Sequence, residues 1–137
     1  MNRLILLSVV LAAISLARAD LDKAKALKLL EECQKKLGSE EDLNAMVEEK
    51  IIPTSEKGKC LLACAAEENG FIDKDGKANF EKIIEYLQKK YADDEEKMEK
   101  AAKIVAHCST AVDHTKLDKC EAANEYVKCA KEKKETL

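Results

Sequence analysis

Six cysteines constrain the fold of this 137-residue chain more than any other feature of its sequence. In a short chain, an even number of cysteines indicates a disulfide framework if the chain is exported, and a metal site or a catalytic thiol if it stays in a reducing compartment. The destination of the chain therefore decides how its cysteines are interpreted. They are Cys33, Cys60, Cys64, Cys108, Cys120 and Cys129.

The first nineteen residues predict export. Arg3 supplies a positive start, residues 4–16 form an apolar run interrupted only by serines, and Ala17-Arg18-Ala19 has the small–x–small pattern that signal peptidase accepts. The run is too short for a membrane anchor, which needs roughly twenty apolar residues. We therefore expect residues 1–19 to be a signal peptide, with cleavage before Asp20, and residues 20–137 to be one oxidised domain.

The mature chain would have 137 − 19 = 118 residues and a formal charge of −5, because the net charge of −3 loses two arginines with the leader. This length suits one domain with a modest core. A mildly acidic surface of mixed charge argues against nucleic acid and against anionic membranes, and no later segment predicts membrane insertion. Tryptophan is absent and aromatic residues are scarce, so any apolar site must be mostly aliphatic.

Apolar residues after Asp20 recur at helical spacing, which predicts an all-α domain. Asp73-Lys74-Asp75-Gly76 is expected to form a turn between helices. Side chains suited to helix N-termini then set the predicted boundaries. The six predicted helices are 21–37, a short one through 43–47 capped by Ser39, one from 55 to 69, one from 80 to 91 capped by Asn79, one following the acidic run 93–96, and one capped by Asp118 with Glu121 as its capping-box partner.

Helical placement limits which cysteines can pair. Cys60 and Cys64 lie four residues apart on one helix, where their Cβ atoms are about 5–6 Å apart, whereas a disulfide requires roughly 3.5–4.5 Å. Cys120 and Cys129 are separated by about 13 Å along the last helix. About ten of the fifteen possible pairings remain open. A zinc site built on Cys60 and Cys64 would lack a second pair of ligands at suitable spacing, so neither a metal nor another cofactor is predicted.

The cysteine order C-x26-C-x3-C-x43-C-x11-C-x8-C resembles that of the insect odorant-binding proteins, in which the x3 and x8 spacings are the most diagnostic. Residues 71–77, after the third cysteine, are also similar to a turn of that family. The resemblance covers residues 20–137. It implies a compact six-helix bundle around an apolar cavity, with three interlocked disulfides that join Cys33 to Cys64, Cys60 to Cys120 and Cys108 to Cys129.

The resemblance also implies a function. It predicts a secreted carrier that binds odorants, pheromones or similar hydrophobic molecules and transports them through extracellular fluid such as sensillar lymph. The implied partners are a small apolar or weakly polar ligand and a chemosensory receptor, and the protein would be a monomer or weak homodimer. No enzyme is expected, because all the cysteines are committed and only two histidines are present. The alternative is a secreted interaction protein of the same fold, such as a venom, salivary or seminal component that acts on a macromolecule.

The inward helix faces predict the ligand-binding residues, with the Tyr126 hydroxyl facing a polar ligand group. The predicted lining consists of Leu43, Met46, Leu62, Ala66, Phe71, Phe80, Ile84, Leu87, Ala101, Val105, Ala123, Tyr126, Val127 and Ala130.

Two further motifs predict no additional site. If Gly76 occupied position six of a calcium loop, Phe71 and Lys82 would stand where carboxylates are required.

The charged end, which stops eight residues after Cys129, does not resemble the long apolar tails that fill the pocket in some odorant-binding proteins. With His107 and His114 as ordinary, partly exposed residues, we expect mildly acidic pH to change ligand affinity only modestly.

Overall fold

The predicted all-α architecture is confirmed. A computed structural model describes the backbone of residues 2–136 and the side chains of residues 3, 6–9 and 21–136. Over this range the chain forms six α-helices, and a 3₁₀ segment at His114–Lys116, which was not predicted, precedes the last of them. The helices are α1 (Asn2–Leu37), α2 (Leu43–Glu48), α3 (Glu56–Glu68), α4 (Phe80–Lys90), α5 (Glu95–Ala111) and α6 (Lys119–Thr136).

Helix α1 begins before the predicted start at Leu21. Residues 1–19 are rich in leucine and alanine, and no glycine or proline occurs before Gly38, so nothing in the sequence ends the helix earlier. Gly38 ends α1 as a left-handed cap with φ of 66°. The side chains of the predicted cleavage site, residues 17–20, lie outside the described range. None of the helices in the described part of the chain has both the length and the apolar character of a membrane span.

Helices α3, α4 and α5 each begin after a short polar side chain that accepts an otherwise unpaired backbone N–H, and of these three caps Asn79 was predicted. Ser55, Asn79 and Asp94 accept from the backbone N–H groups three residues later, at 3.0, 3.2 and 3.0 Å. The predicted cap of α2 was wrong. Asp42 caps this helix by accepting from the Ala45 N–H at 3.1 Å, whereas the Ser39 hydroxyl accepts from the Glu41 N–H at 3.3 Å.

Helix α6 shows half of its predicted capping box. The Glu121 N–H donates to the Asp118 carboxylate at 2.9 Å, so Asp118 is the expected cap. The Glu121 carboxylate, however, reaches across to α3 and pairs with Lys59 at 2.9 Å. This side chain therefore links two helices instead of closing its own first turn.

The three disulfides implied by the cysteine order are confirmed. Cys33–Cys64 joins α1 to α3, Cys60–Cys120 joins α3 to α6, and Cys108–Cys129 joins α5 to α6. Helix α3 is therefore held from both sides, and two core clusters lie against it. One is formed with α1 and α2, and the other with α6 and the turn. The helices α4 and α5 contribute only one buried side chain, Cys108, which leaves the space between them and α3–α6 loosely filled.

The predicted turn after α3 is also confirmed, and it folds back against α6. Ile72 and Ala78 form an isolated antiparallel bridge, and the Gly76 N–H donates to the Asp73 carbonyl at 3.0 Å. The Asp73 carboxylate accepts from the backbone N–H groups of Lys77 and Asp75, which lowers its pKa below the usual value. Gly76 has φ of 82°, and a Cβ there would lie 3.1 Å from the Cβ of Ala122, so glycine allows the close approach.

Candidate ligand-binding site

A cavity of ≈ 290 Å³ occupies the loosely filled space between the α3–α6 pair and the α4–α5 pair, and we call it the main cavity. Four of its wall positions are alanines, distributed over α3, the turn and α6. Because these side chains are short, they leave much of the space between the helices unfilled. Its wall is formed by Leu62, Ala66, Phe71, Ile72, Ala78, Ile83, Ile104, Val105, Cys108, Ser109, Ala123, Tyr126, Val127 and Ala130.

Two polar side chains stand in this otherwise apolar wall. The Ser109 hydroxyl donates to the Val105 carbonyl at 2.7 Å, within α5. This hydroxyl is therefore not free to donate to a ligand. The Tyr126 hydroxyl is buried and has no hydrogen-bond partner in the described part of the chain. A buried hydroxyl without a partner is unfavourable. Tyr126 is therefore the wall residue best suited to meet a polar group of a ligand.

The electrostatic setting of Tyr126 keeps its phenol neutral. Burial raises the pKa of Tyr126 above its usual value of 10.0, and the Asp73 charge acts in the same direction. The backbone amide of Ala78 faces the phenol oxygen and partly offsets the shift, without meeting the geometry of a hydrogen bond. The group can thus donate as well as accept at any physiological pH.

A comparison with known families decides the class of the protein. The model of the PBP/GOBP family matches residues 18–133, which is most of the chain. The chain belongs to the PBP/GOBP family. The resemblance predicted from the cysteine order is thereby confirmed, and the matched range contains all six cysteines and the whole wall of the main cavity.

Individual PBP/GOBP relatives agree with this assignment. The chain is 33% identical over 132 residues to general odorant-binding protein 28a of Drosophila melanogaster, covering 92% of this chain and 89% of the relative. It is 31% identical over 111 residues to general odorant-binding protein 19d of the same species, covering 80% and 72%. A solved structure of the Drosophila odorant-binding protein dmelOBP28a superposes with a TM-score of 0.69 at 29% identity, covering 86% of this chain and 96% of that one.

More than half of the residues predicted to line the site meet in the main cavity of this PBP/GOBP chain. They come from α3, the turn, α5 and α6. They are Leu62, Ala66, Phe71, Val105, Ala123, Tyr126, Val127 and Ala130.

The predicted positions on α2 lie elsewhere. Leu43 and Met46 belong to the cluster that packs α2 against α1 and α3, where Cys33–Cys64 draws these helices together. Met46 also faces a second cavity of ≈ 410 Å³, between α1, the α2–α3 connection and α6, which we call the basic cavity. Leu62, Val127 and Ala130 line both cavities and form a shared wall.

The predicted positions on α4 and the first turns of α5 are likewise outside the main cavity. Phe80 is 43% exposed at the start of α4 and borders a polar surface depression. Ile84 and Leu87 are partly buried where α4 packs on α5, and α4 turns Ile83 towards the cavity in their place. Ala101 lies one turn before Val105, and its short side chain does not reach the space.

Six wall residues were not predicted, and some of them had a detectable signal. Ile104 and Cys108 belong to the same helical stripe as Val105, so the periodicity that selected Val105 also indicated them. Ile72 and Ala78 flank the turn, and their inward position depends on the isolated bridge, for which the sequence holds no periodic signal.

In the described part of the chain, no group of three histidine, cysteine or acidic side chains is arranged to hold a metal ion.

Proposed function

We propose that this protein is a secreted carrier that reversibly binds small hydrophobic molecules, such as odorants or pheromones, in the main cavity and transports them through extracellular fluid. The observation that carries the proposal is the apolar cavity of ≈ 290 Å³ with the buried, unpaired hydroxyl of Tyr126 in its wall. An apolar wall with a few fixed polar groups is typical of small-molecule sites. The odorant-binding names of the relatives support the same role.

Energetics support a cavity that is kept open for a ligand. At about 24 cal/mol per Å³, an empty space of ≈ 290 Å³ costs at most about 7 kcal/mol, because water can occupy part of it. The disulfides close loops of 31, 60 and 21 residues. Each such loop contributes about 3–4 kcal/mol in the chain-entropy model. The bridges therefore offset the cost of the hollow core, and a bound ligand recovers part of it.

We further propose that residues 1–19 direct secretion and are removed before Asp20. PBP/GOBP proteins are typically secreted, and the three disulfides suit an oxidising compartment. A chemosensory receptor is the partner to which such a monomeric or weakly dimeric carrier would deliver its ligand. Members of this family are binding proteins and not enzymes, and the proposal keeps this chain in that class.

The test is displacement of the apolar fluorophore N-phenyl-1-naphthylamine from oxidised, delipidated protein that starts at Asp20. Val105→Trp should fill the main cavity and abolish probe binding, while the melting temperature stays near that of the wild type. In a solid core the same substitution would cost about 1–3 kcal/mol. Ile84→Trp is the matched control, because Ile84 is partly buried outside the cavity, and this variant should still bind the probe.

Each variant carries the only tryptophan of its chain, so its emission reports whether the indole is buried. If Val105→Trp folds poorly, Ala66→Leu provides a milder filling of the same space. Normal probe binding by a folded Val105→Trp or Ala66→Leu protein would refute the main cavity as the site. Failure of the wild type to bind any displaceable apolar molecule, together with a stable protein complex, would favour the secreted interaction protein instead.

A further inference from the structure

The basic cavity differs from the main cavity in its charge. Its walls are also apolar, with Leu30, Met46 and Val47 on one side and Ile51 and Ile52 on another. Its rim, however, is formed by three lysines, Lys50, Lys131 and Lys134, and its lining residues include no carboxylate. An apolar space with a one-sided positive rim matches a molecule that has an apolar tail and a negative head.

The three lysines lie close to one another. The Nζ of Lys131 lies 3.4 Å from the Lys50 carbonyl oxygen, which places the α6 lysine directly over the end of α2. Burial lowers the pKa of Lys50, and the positive charges of Lys90, Lys23 and Lys134 lower it further. Glu48 acts in the opposite direction, but its carboxylate is paired with Lys23 at 2.9 Å. None of the residues that line the basic cavity is acidic, so no carboxylate stands in its wall beside the three lysines.

The backbone of Lys50 is unusual for its residue type. It has φ of 57°, in the left-handed region where a helix end normally places glycine or asparagine. The Ile51 N–H then turns back to the Ala45 carbonyl at 3.3 Å. This turn sets Lys50 on the rim and the following isoleucines in the wall. Strained positions of this kind are concentrated at functional sites.

We propose that the basic cavity is a second ligand site, which binds amphiphiles with a carboxylate head and an apolar tail. The carboxylate lies among Lys50, Lys131 and Lys134, and the tail packs against Leu30 and Met46. The main cavity offers a neutral phenol and no cation, so the two cavities select different ligand classes. The two cavities are adjacent, because Leu62, Val127 and Ala130 line both of them. The inference stands independently of which molecule the main cavity carries.

The test compares decanoate with 1-decanol by isothermal titration calorimetry on the oxidised protein that starts at Asp20. Removal of one lysine of the rim should weaken decanoate binding by about two- to fivefold, as for a partly exposed ion pair, and Lys131→Met/Lys134→Met should weaken it by about tenfold. Added salt should weaken decanoate binding and leave 1-decanol binding unchanged. Lys128→Met is the matched control, because Lys128 lies on the same helix, outside the cavity, and pairs with Glu125.

Further variants separate this site from the main cavity. Val105→Trp should leave decanoate binding intact, because it fills only the main cavity. Lys50→Gly should weaken decanoate binding without loss of thermal stability, since glycine relieves the left-handed strain. If decanoate binding is lost in Val105→Trp and unaffected in the double lysine variant, the carboxylate occupies the main cavity. That result would overturn this inference and leave the carrier proposal intact. Absence of decanoate binding by the wild type, or an equal loss in Lys128→Met, would also overturn it.

Discussion

The ring of Phe71 contacts the ring of Tyr86 edge-to-face, with centroids 5.2 Å apart and planes at 62°. Phe71 is part of the main cavity wall, whereas Tyr86 is 41% exposed on α4. Helix α4 has no buried residue, and this ring contact joins it to the turn. The position of a surface helix is thereby linked to the shape of the cavity.

The first prediction concerns this aromatic pair. A double-mutant cycle with Phe71→Leu and Tyr86→Leu, measured by urea unfolding, should give a coupling free energy of about 0.5–1.5 kcal/mol. Tyr86→Leu should also weaken N-phenyl-1-naphthylamine binding, because α4 is less firmly held. Tyr91→Leu is the control, as Tyr91 stands at the end of the same helix outside the main cavity. A coupling near zero would show that the rings pack independently.

The second prediction concerns the unpaired hydroxyl of Tyr126. Tyr126→Phe removes a buried group that lacks a partner, so the ligand-free protein should become more stable by about 1 kcal/mol at neutral pH. The same change should weaken binding of 1-decanol by about three- to tenfold and leave binding of n-decane unchanged. A loss of stability in Tyr126→Phe would mean that the hydroxyl is satisfied in solution, for instance by water.

The pH dependence of Tyr126 has a definite sign. Its pKa is raised in the folded state, mainly by burial, so the folded protein holds this proton more tightly than the unfolded chain. The stabilisation that comes from the protonated phenol is complete below about pH 10, the pKa of tyrosine in the unfolded chain. It is lost as the pH rises through the higher pKa that Tyr126 has in the folded protein. Wild-type protein should therefore lose stability above pH 10 more steeply than Tyr126→Phe, as measured by urea unfolding at several alkaline pH values.

The third prediction reverses an ordinary rule of helix propensity. Alanine usually stabilises an exposed helix position by about 1 kcal/mol relative to glycine. At Gly58 on α3, however, a Cβ would lie 2.5 Å from the Pro53 Cβ and 2.5 Å from a Glu41 carboxylate oxygen. Gly58→Ala should therefore destabilise the protein by about 1–3 kcal/mol in urea unfolding. Pro53→Ala leaves the Cβ in place and serves as a control, whereas Pro53→Gly should rescue much of the loss.

The fourth prediction concerns acid. The backbone N–H of Lys77, and to a smaller extent that of Asp75, lowers the pKa of Asp73 below its usual value of 3.8. The ionised Asp73 carboxylate therefore stabilises the folded protein at every pH above about 3.8. This contribution is lost only as pH falls through the lower folded pKa. The turn carries Ile72 and Ala78 into the main cavity wall, so the cavity should remain intact at pH 5 and loosen below about pH 3.8.

Between neutral pH and pH 5, affinity for an apolar probe should accordingly change by less than about tenfold, or 1.4 kcal/mol. Asp73→Asn removes the titrating carboxylate, so this variant should bind the probe more weakly at every pH and should lack the loss of binding that the wild type shows below about pH 3.8. His107 is exposed on α5 and does not line the main cavity. A hundredfold loss at pH 5 that disappears in His107→Gln would contradict this prediction and identify a histidine switch.

The helices and the disulfides could be predicted from the sequence, because they depend on features that are local in the chain: helical periodicity, capping side chains and cysteine spacing. Asn79 and Asp118 are caps by side-chain chemistry alone, and the spacing of the six cysteines carries a recognisable family order. Asp42 was missed as a cap because Ser39, Asp42 and other polar residues compete within one short connection, and only the approach of α2 to α1 decides among them. Local chemistry did not resolve that choice.

The residues of the main cavity wall could be predicted only in part from the sequence, because they depend on how each helix is rotated about its own axis. Val105 and Tyr126 were predicted as inward-facing residues, and both line the main cavity. On α4, Ile83 and Ile84 are adjacent and equally apolar, and the axial rotation that selects Ile83 is set by contacts with α5 and by Tyr86 on Phe71. The basic cavity was not predicted, because Lys50 is 81 residues from Lys131 in sequence and only the fold brings the two together.

The overlap of the three disulfide loops has a consequence for survival in a fluid that contains proteases. The loops run from Cys33 to Cys64, from Cys60 to Cys120 and from Cys108 to Cys129, so every peptide bond between Cys33 and Cys129 lies inside at least one closed covalent ring. A single proteolytic cut anywhere in that interval produces no separate fragment. A nicked molecule therefore keeps all of its pieces attached, including both halves of the main cavity wall.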